Sequence, residues 1–279
     1  MASFIKMTCS AGLALIGVSV GFTLPAQAAD LIYSDNYFDY ALPDSVTEVC
    51  YSRESYNCPD ISVIYAETSQ DWINNSLNNR INQLLPGPQA GYQPEEGNRS
   101  GNLSEKEKKK LLDGFATQQL KEIPEDSSLN YQFEVAPSYL GHIGNVELFK
   151  INSYIYLGGA HGLGYSEYKM FNMATKKELN LEDLLIPGQQ KKFEALAYTA
   201  YKEWVKQQTD SDAQSFEKNW PFSMTDNALL NNEGIALTYQ PYEIAPYAFG
   251  MPTLTVPYAK LKGIIKPEYL PKSVTKAKK

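Results

Sequence analysis

The stretch YLGGAHGLGY, residues 156–165, sets four glycines around His161, one of only two histidines in a chain of 279 residues. An imidazole on a glycine-rich loop could sit beside a phosphate cradle, ligate a metal or serve as a general base. The spacing speaks against the first, because Gly158 and Gly159 are adjacent and no Lys-Ser/Thr follows. For a metal, neither H-E-x-x-H nor H-x-x-E-H occurs. His142 is the only other imidazole and Glu167 the nearest acid to consider, which leaves an incomplete ligand set, so no metal and no cofactor is expected. A nucleophile elbow of the form G-x-S-x-G is missing as well. No two of the 32 acidic residues stand out as a glycosidase pair. The structural reading is preferred. A strand ending YIYLGG must reverse within a few residues, and Gly158, Gly159 and Gly162 supply backbone conformations that other residues resist. Catalysis by His161, with His142 or Glu167 as its partner, is the alternative.

A second stretch, TYQPYEIAPYAFGMP (residues 238–252), crowds Tyr239, Pro241, Tyr242, Glu243, Tyr247, Phe249 and Gly250 together. Prolines stiffen such a loop, and tyrosine offers large amphipathic area at low entropic cost. It reads as a recognition surface, to which His161 is assigned as well. An equal alternative is a rigid corner packed under the domain, with Glu243 hydrogen-bonded inside it.

These loops need elements to hold them. Residues 58–67 alternate like a strand, and the next segment carries Ile73, Leu77, Ile81 and Leu84 on one helical stripe that ends before Pro86, with Ser69 as its expected N-cap. A Pro/Gly/Asn-rich loop over residues 86–102 follows. The next helix opens with a capping box, Ser104 and Glu107, and buries Leu111, Leu112, Phe115 and Leu120. From Leu129 the period becomes two, through residues 130–137, 145–159 and 164–173, with a tight turn at 174–178 and a short element capped by Asn180. The segment 188–208 is the clearest helix, with Phe193, Ala197 and Tyr201 on its stripe. A hairpin about Asn231–Gly234, a strand TLTVP and a short closing helix complete the pattern. Without a βαβ rhythm this is an α+β protein, antiparallel sheets with helices packed on one face.

Composition sets the compartment. An apolar run at residues 7–24, Pro25 and the A-x-A site Ala26–Ala28 have the form of a secretory signal peptide over residues 1–28. An uncleaved anchor is the alternative, since the run approaches spanning length. Export gives a periplasmic or secreted chain starting near Ala29, with no lasting membrane span. Removing Lys6 with the signal changes the balance from 25 basic and 32 acidic residues to 24 and 32, a net charge of −8. Such a chain repels nucleic acid and anionic lipid and attracts basic partners. The basic tail, residues 271–279, is read as a frayed end. Cys9 leaves with the signal, so Cys50 and Cys58 remain. In an oxidising compartment they read as one disulfide.

The Gly158–Gly162 loop, the turn at Thr175–Lys177, Leu181–Leu185 and the Tyr239–Gly250 segment, appearing in that order, resemble the extracellular lysozyme-sensing domain family of RsiV C-termini. Upstream, CPDISVIYAETSQDWINNSLNNRINQLL resembles the small domain that commonly precedes it. The resemblance implies two closely associated subdomains, residues 29–135 and 136–270. It also implies a non-catalytic role in the cell envelope, with lysozyme or another muramidase as partner. The chain lacks a cytoplasmic sigma-binding segment, so anti-sigma activity is not expected. Alternatives are an envelope hydrolase built on the His161 loop and an accessory protein that binds peptidoglycan.

Overall fold

A computed structural model describes residues 31–54, 57–87, 101–127, 129–208 and 213–271. The expected signal peptide, most of the loop at 86–102 and all but Pro271 of the tail lie outside these residues.

The chain begins with β1 (Tyr33–Tyr37), α1 (Asp44–Ser52), β2 (Asp60–Thr68), α2 (Asp71–Leu84) and α3 (Glu105–Glu122). A long meander follows: β3 (Gln132–Ile143), β4 (Val146–Tyr156), β5 (Leu163–Asn172) and β6 (Lys177–Leu179). The rest comprises α4 (Leu181–Leu184), α5 (Gln190–Gln208), α6 (Ala213–Asn219), β7 (Ala228–Leu230), β8 (Gly234–Thr238), β9 (Thr253–Pro257) and α7 (Tyr258–Leu261). Strands β1 to β6 form one sheet in sequence order, and β7 to β9 a second, smaller one. The fold is α+β.

All neighbours run antiparallel except β2 and β3, which are parallel. A parallel pair cannot be joined by a hairpin and needs a crossover. Here α2 and α3 are that crossover, which is why both helices pack on one face of the large sheet. The stripe Ile73, Leu77, Ile81 and Leu84 meets Phe133, Val135, Phe149, Ile151 and Phe171 there, joined from α3 by Leu112 and Phe115. Alternation sends Val146, Leu148 and Met170 to the other face, into a second core with β7–β9 and α5. Phe193, Ala197, Tyr201 and Val205 are the buried stripe of α5. Strands β4 and β5 therefore serve both cores. The boundary at 135/136 expected between subdomains falls inside β3, whose ladder to β2 and β4 carries the sheet across it.

Local details follow side-chain chemistry. Ser104 and Glu107 form a complete capping box on α3, and Asn180 and Asp183 form one on α4. Helix α2 starts one residue later than expected. Gln70 is its N-cap, while the Ser69 hydroxyl accepts from the Ile32 amide at 3.4 Å. Cys50 of α1 is bonded to Cys58, tying that helix to the approach to β2. Beyond Val63 the β3 ladder leaves β2, and two asparagines of α2 take its place. Asn78 accepts from the Ala66 amide (2.8 Å) and donates to its carbonyl (2.9 Å), and Asn74 does the same at Thr68 (2.8 and 3.1 Å). Among the described residues no helix is long and apolar enough to cross a membrane.

Candidate functional site

The glycine loop is the β4–β5 connection. Gly158 and Gly159 adopt φ of +87° and +86°, which permits the reversal, and the Tyr156 hydroxyl donates to the Gly159 carbonyl at 2.9 Å. Gly162 is required for a different reason. A Cβ there would lie 2.3 Å from the Tyr154 hydroxyl and 2.6 Å from the Ile155 carbonyl.

The second stretch leaves β8 and returns to β9. Its ends are closed by the Tyr239 amide on the Pro252 carbonyl (2.9 Å), and Glu243 accepts from the Gln240 amide (2.7 Å). Ile244 and Ala245 anchor its middle in the core. Pro241 leads into a turn whose next residue, Tyr242, is held at φ +72°, a conformation that a non-glycine residue adopts only when its surroundings impose it. Gly250, at φ +64°, ends the short 3₁₀ turn Tyr247–Phe249.

The two stretches meet in space. The His161 ring stacks on Tyr247 with centroids 3.7 Å apart and planes 16° from parallel, and Tyr242 tilts onto Tyr247 at 5.6 Å. The Tyr247 hydroxyl donates to the Gly162 carbonyl at 2.9 Å, locking one loop to the other. His161 Nδ1 lies 3.0 Å from the same carbonyl. A carbonyl only accepts, so Nδ1 is the donor in this contact, and Nε2 faces the Tyr242 hydroxyl at 3.5 Å. Tyr242 is 50% exposed and His161 is exposed as well, whereas Tyr247 is half-buried between them.

A polar cluster lies between α2 and β5. Glu167 bridges Arg80 of α2 and Lys169 (2.8 Å), and Lys169 reaches Glu178 of β6 (2.9 Å). The Tyr165 hydroxyl joins Arg80 and Glu167, and Ser76 donates to Glu178. Burial opposes the charge of Glu167, but the Lys169 and Arg80 cations outweigh it and hold its pKa below the ordinary value. Burial likewise disfavours charge on Lys169 and Arg80. Glu167 with Glu178 raises Lys169, and Glu167 with Tyr165 raises Arg80. All three groups are charged at neutral pH.

The outer edge of β5 beside this cluster lacks a strand partner before Met170, where β6 begins to pair. Side-chain amides cover it. Gln240 accepts from the Ser166 amide (3.1 Å) and donates to the Ser166 carbonyl (2.7 Å). Asn227 donates to that carbonyl (2.8 Å) and accepts from the Tyr168 amide (2.9 Å). These bonds fix residues 227–240, and with them the tyrosine loop, against the large sheet.

The structure sorts the expected site residues. His161, Tyr242 and Tyr247 come together, with Pro241 and Glu243 flanking Tyr242. Tyr239 is fully buried and donates to the Ser223 carbonyl at 2.9 Å, so it belongs to the core and not to a binding surface. Phe249 packs edge-on against Trp204 and Phe216, both with centroids 5.8 Å away. The alternative grouping of His161, His142 and Glu167 is not assembled. His142 sits at the β3–β4 turn and His161 at the β4–β5 turn, at opposite ends of β4, roughly 30 Å apart at the rise of a strand. Glu167 is committed to Arg80 and Lys169. Among the described residues no carboxylate bonds to His161, and no group of three or more His, Cys, Asp or Glu could hold a metal ion. Sequence reasoning missed Arg80, Lys169, Asn227 and Gln240. The alternation Tyr165-Glu167-Lys169 along one strand face, with charge where the core should be, was the available signal for the first two.

Comparison with known proteins finds a family match in the second half of the chain and fold similarity over most of it. Residues 182–259 match the family described as "Protein of unknown function (DUF3298)". The fold is similar to a DUF3298 family protein from Pseudomonas aeruginosa PAO1, 23% identical, with TM-score 0.60 over 87% of this chain and 95% of that one. It is similar also to a DUF3298 family member from Bacteroides fragilis NCTC 9343, 16% identical, with TM-score 0.59 over 89% and 98%. No curated protein matches. The stretch that matches this family runs from within α4 to within α7 and includes Tyr242 and Tyr247.

Proposed function

We propose that this protein is an exported, non-catalytic binding protein of the cell envelope. It engages a basic wall-active partner, a C-type lysozyme or a related muramidase, through the rings of Tyr242, Tyr247 and His161. The observation that carries this reading is Tyr242, half exposed, held at positive φ and backed by a stacked Tyr247–His161 pair. Rigid aromatic side chains lose little entropy on binding, and tyrosine is enriched among the few residues that carry most of the energy at protein interfaces. The acidic balance of residues 29–279 favours encounter with a basic protein. The Cys50–Cys58 disulfide is compatible with an oxidising compartment.

Calorimetric titration of the purified protein with a C-type lysozyme at two salt concentrations tests this. The expected result is one-to-one binding at about micromolar Kd or tighter, weakened by salt. Tyr242→Ala should weaken it about tenfold or more with an unchanged melting temperature. No heat at either salt, together with no retention on immobilised lysozyme, would remove the reading.

A further inference from the structure

A cleft of about 540 Å³ follows the open edge of β5, between α2 and residues 225–243. It lies on the Gln240–Glu243 side of the tyrosine loop, and its volume falls within the range of small-molecule sites. Its floor holds the cluster of Arg80, Glu167, Lys169 and Glu178, and its rim adds Asp226 and Glu243. The side chains of Arg80, Glu167 and Lys169 are only 15–18% exposed.

Removing three ionised groups from water is expensive, and apolar side chains of similar size would fasten α2 to β5 at least as well. Such groups gathered in a cleft are candidates for a binding site. The arrangement of charge narrows the ligand. The floor balances Arg80 and Lys169 against Glu167 and Glu178 and so offers an ion no unpaired counter-charge, and an anion entering the cleft meets Asp226 and Glu243 first. A neutral ligand rich in hydroxyls suits both levels, because each hydroxyl can donate to a carboxylate and accept from a cation. Tyr165 and Tyr168, from opposite faces of β5, add ring surface for the C–H faces of such a molecule. The mutual bonds of the floor hold these groups in place before any ligand arrives, which lowers the cost of binding.

We infer that this cleft binds a neutral carbohydrate of about one to two sugar units, separately from the protein-binding rings of Tyr242, Tyr247 and His161.

Two-dimensional amide NMR titrations of the purified protein with maltotriose, chitotriose and spermidine test the inference. At least one saccharide should bind with millimolar Kd or tighter and shift the amides of β5 and of residues 225–243. Asp226→Ala combined with Glu243→Gln, at the exposed rim, should weaken that binding about fivefold or more at an unchanged melting temperature. Binding of spermidine alone, no saccharide binding up to about 20 mM, or saccharide binding indifferent to the rim variant would each overturn it. None of these readouts depends on lysozyme, so failure here is distinguishable from failure of the protein-binding reading.

Discussion

Two strands of the large sheet run past the end of their ladders, and side-chain amides finish both. On β2 the amides are Asn74 and Asn78, one helical turn apart on α2, each serving the amide and carbonyl of a single residue. On β5 they are Asn227 and Gln240, from opposite ends of the β7–β8 hairpin, and both converge on the Ser166 carbonyl. The first cap is local, reaching across 6 and 12 positions of sequence; the second reaches across 59 to 74. An exposed edge invites foreign strands, so both arrangements protect the sheet. Only the second also joins the stretch from β7 to β9 to the large sheet that precedes it. The same chemical device therefore closes one folding unit in the first case and holds two parts of the fold in register in the second.

Mutation should separate the two roles. Asn227→Ala strips partners from the Tyr168 amide and the Ser166 and Thr238 carbonyls at once. Leaving such groups unsatisfied costs about 1–3 kcal/mol each where water is excluded, and partial access to water puts the expected loss near ~3 kcal/mol by denaturant unfolding. Because Gln240 shares the Ser166 carbonyl, Asn227→Ala and Gln240→Ala should be non-additive. The joint reading would be sunk if the two losses simply added. Asn78→Ala is the matching change on β2. It strips two groups of one residue, for an expected loss of ~2 kcal/mol. Combined with Asn74→Ala it should come close to additivity, since Thr68 and Ala66 are served separately. Hydrogen exchange should then show opening confined to β2 and α2 for Asn78→Ala, and spread over β5 and residues 227–240 for Asn227→Ala. The reverse pattern would mean that the β5 cap is the local one.

The difference between the caps also explains what could be read in advance. The stripe Ile73, Leu77, Ile81 and Leu84, the capping box at Ser104, the cap at Asn180 and the alternation of β3 to β5 are local patterns, and each found its element. The meeting of His161 with Tyr242 and Tyr247 was legible only as two separate loops of suggestive composition. Nothing in the spacing brings residues 161 and 247 together; the docking of Asn227 and Gln240 on β5 and the Tyr247–Gly162 bond do. Tyr239 shows the converse. Its type matched its exposed neighbours, yet its place as the first residue after β8 turns it into the core. Asn227 and Gln240 carry no local signal, because an amide that completes a sheet looks like any loop amide until the open edge of β5 is seen.

The smallest expected effect concerns the cluster that links the two caps, since α2 carries Asn74 and Asn78 on one side and Ser76 and Arg80 on the other. Glu167→Gln keeps the shape but leaves the Arg80 and Lys169 cations without their shared carboxylate. The pairs are neither fully buried nor fully solvated, so the expected loss at pH 7 is ~1–2 kcal/mol. Its pH dependence distinguishes charge from packing. The folded pKa of Glu167 lies below its ordinary 4.5. The native state therefore binds this proton less readily than the unfolded chain does, and the contribution is complete above pH 4.5 and fades as pH falls through the lower, folded value. The gap in melting temperature between the natural protein and Glu167→Gln should stay constant from pH 7 to about 5, then close towards pH 3. A gap that persists undiminished at pH 3 would mean that Glu167 holds α2 to β5 through shape and neutral hydrogen bonds. The Arg80–Glu167–Lys169 charges would then add nothing to the joining of the two edges.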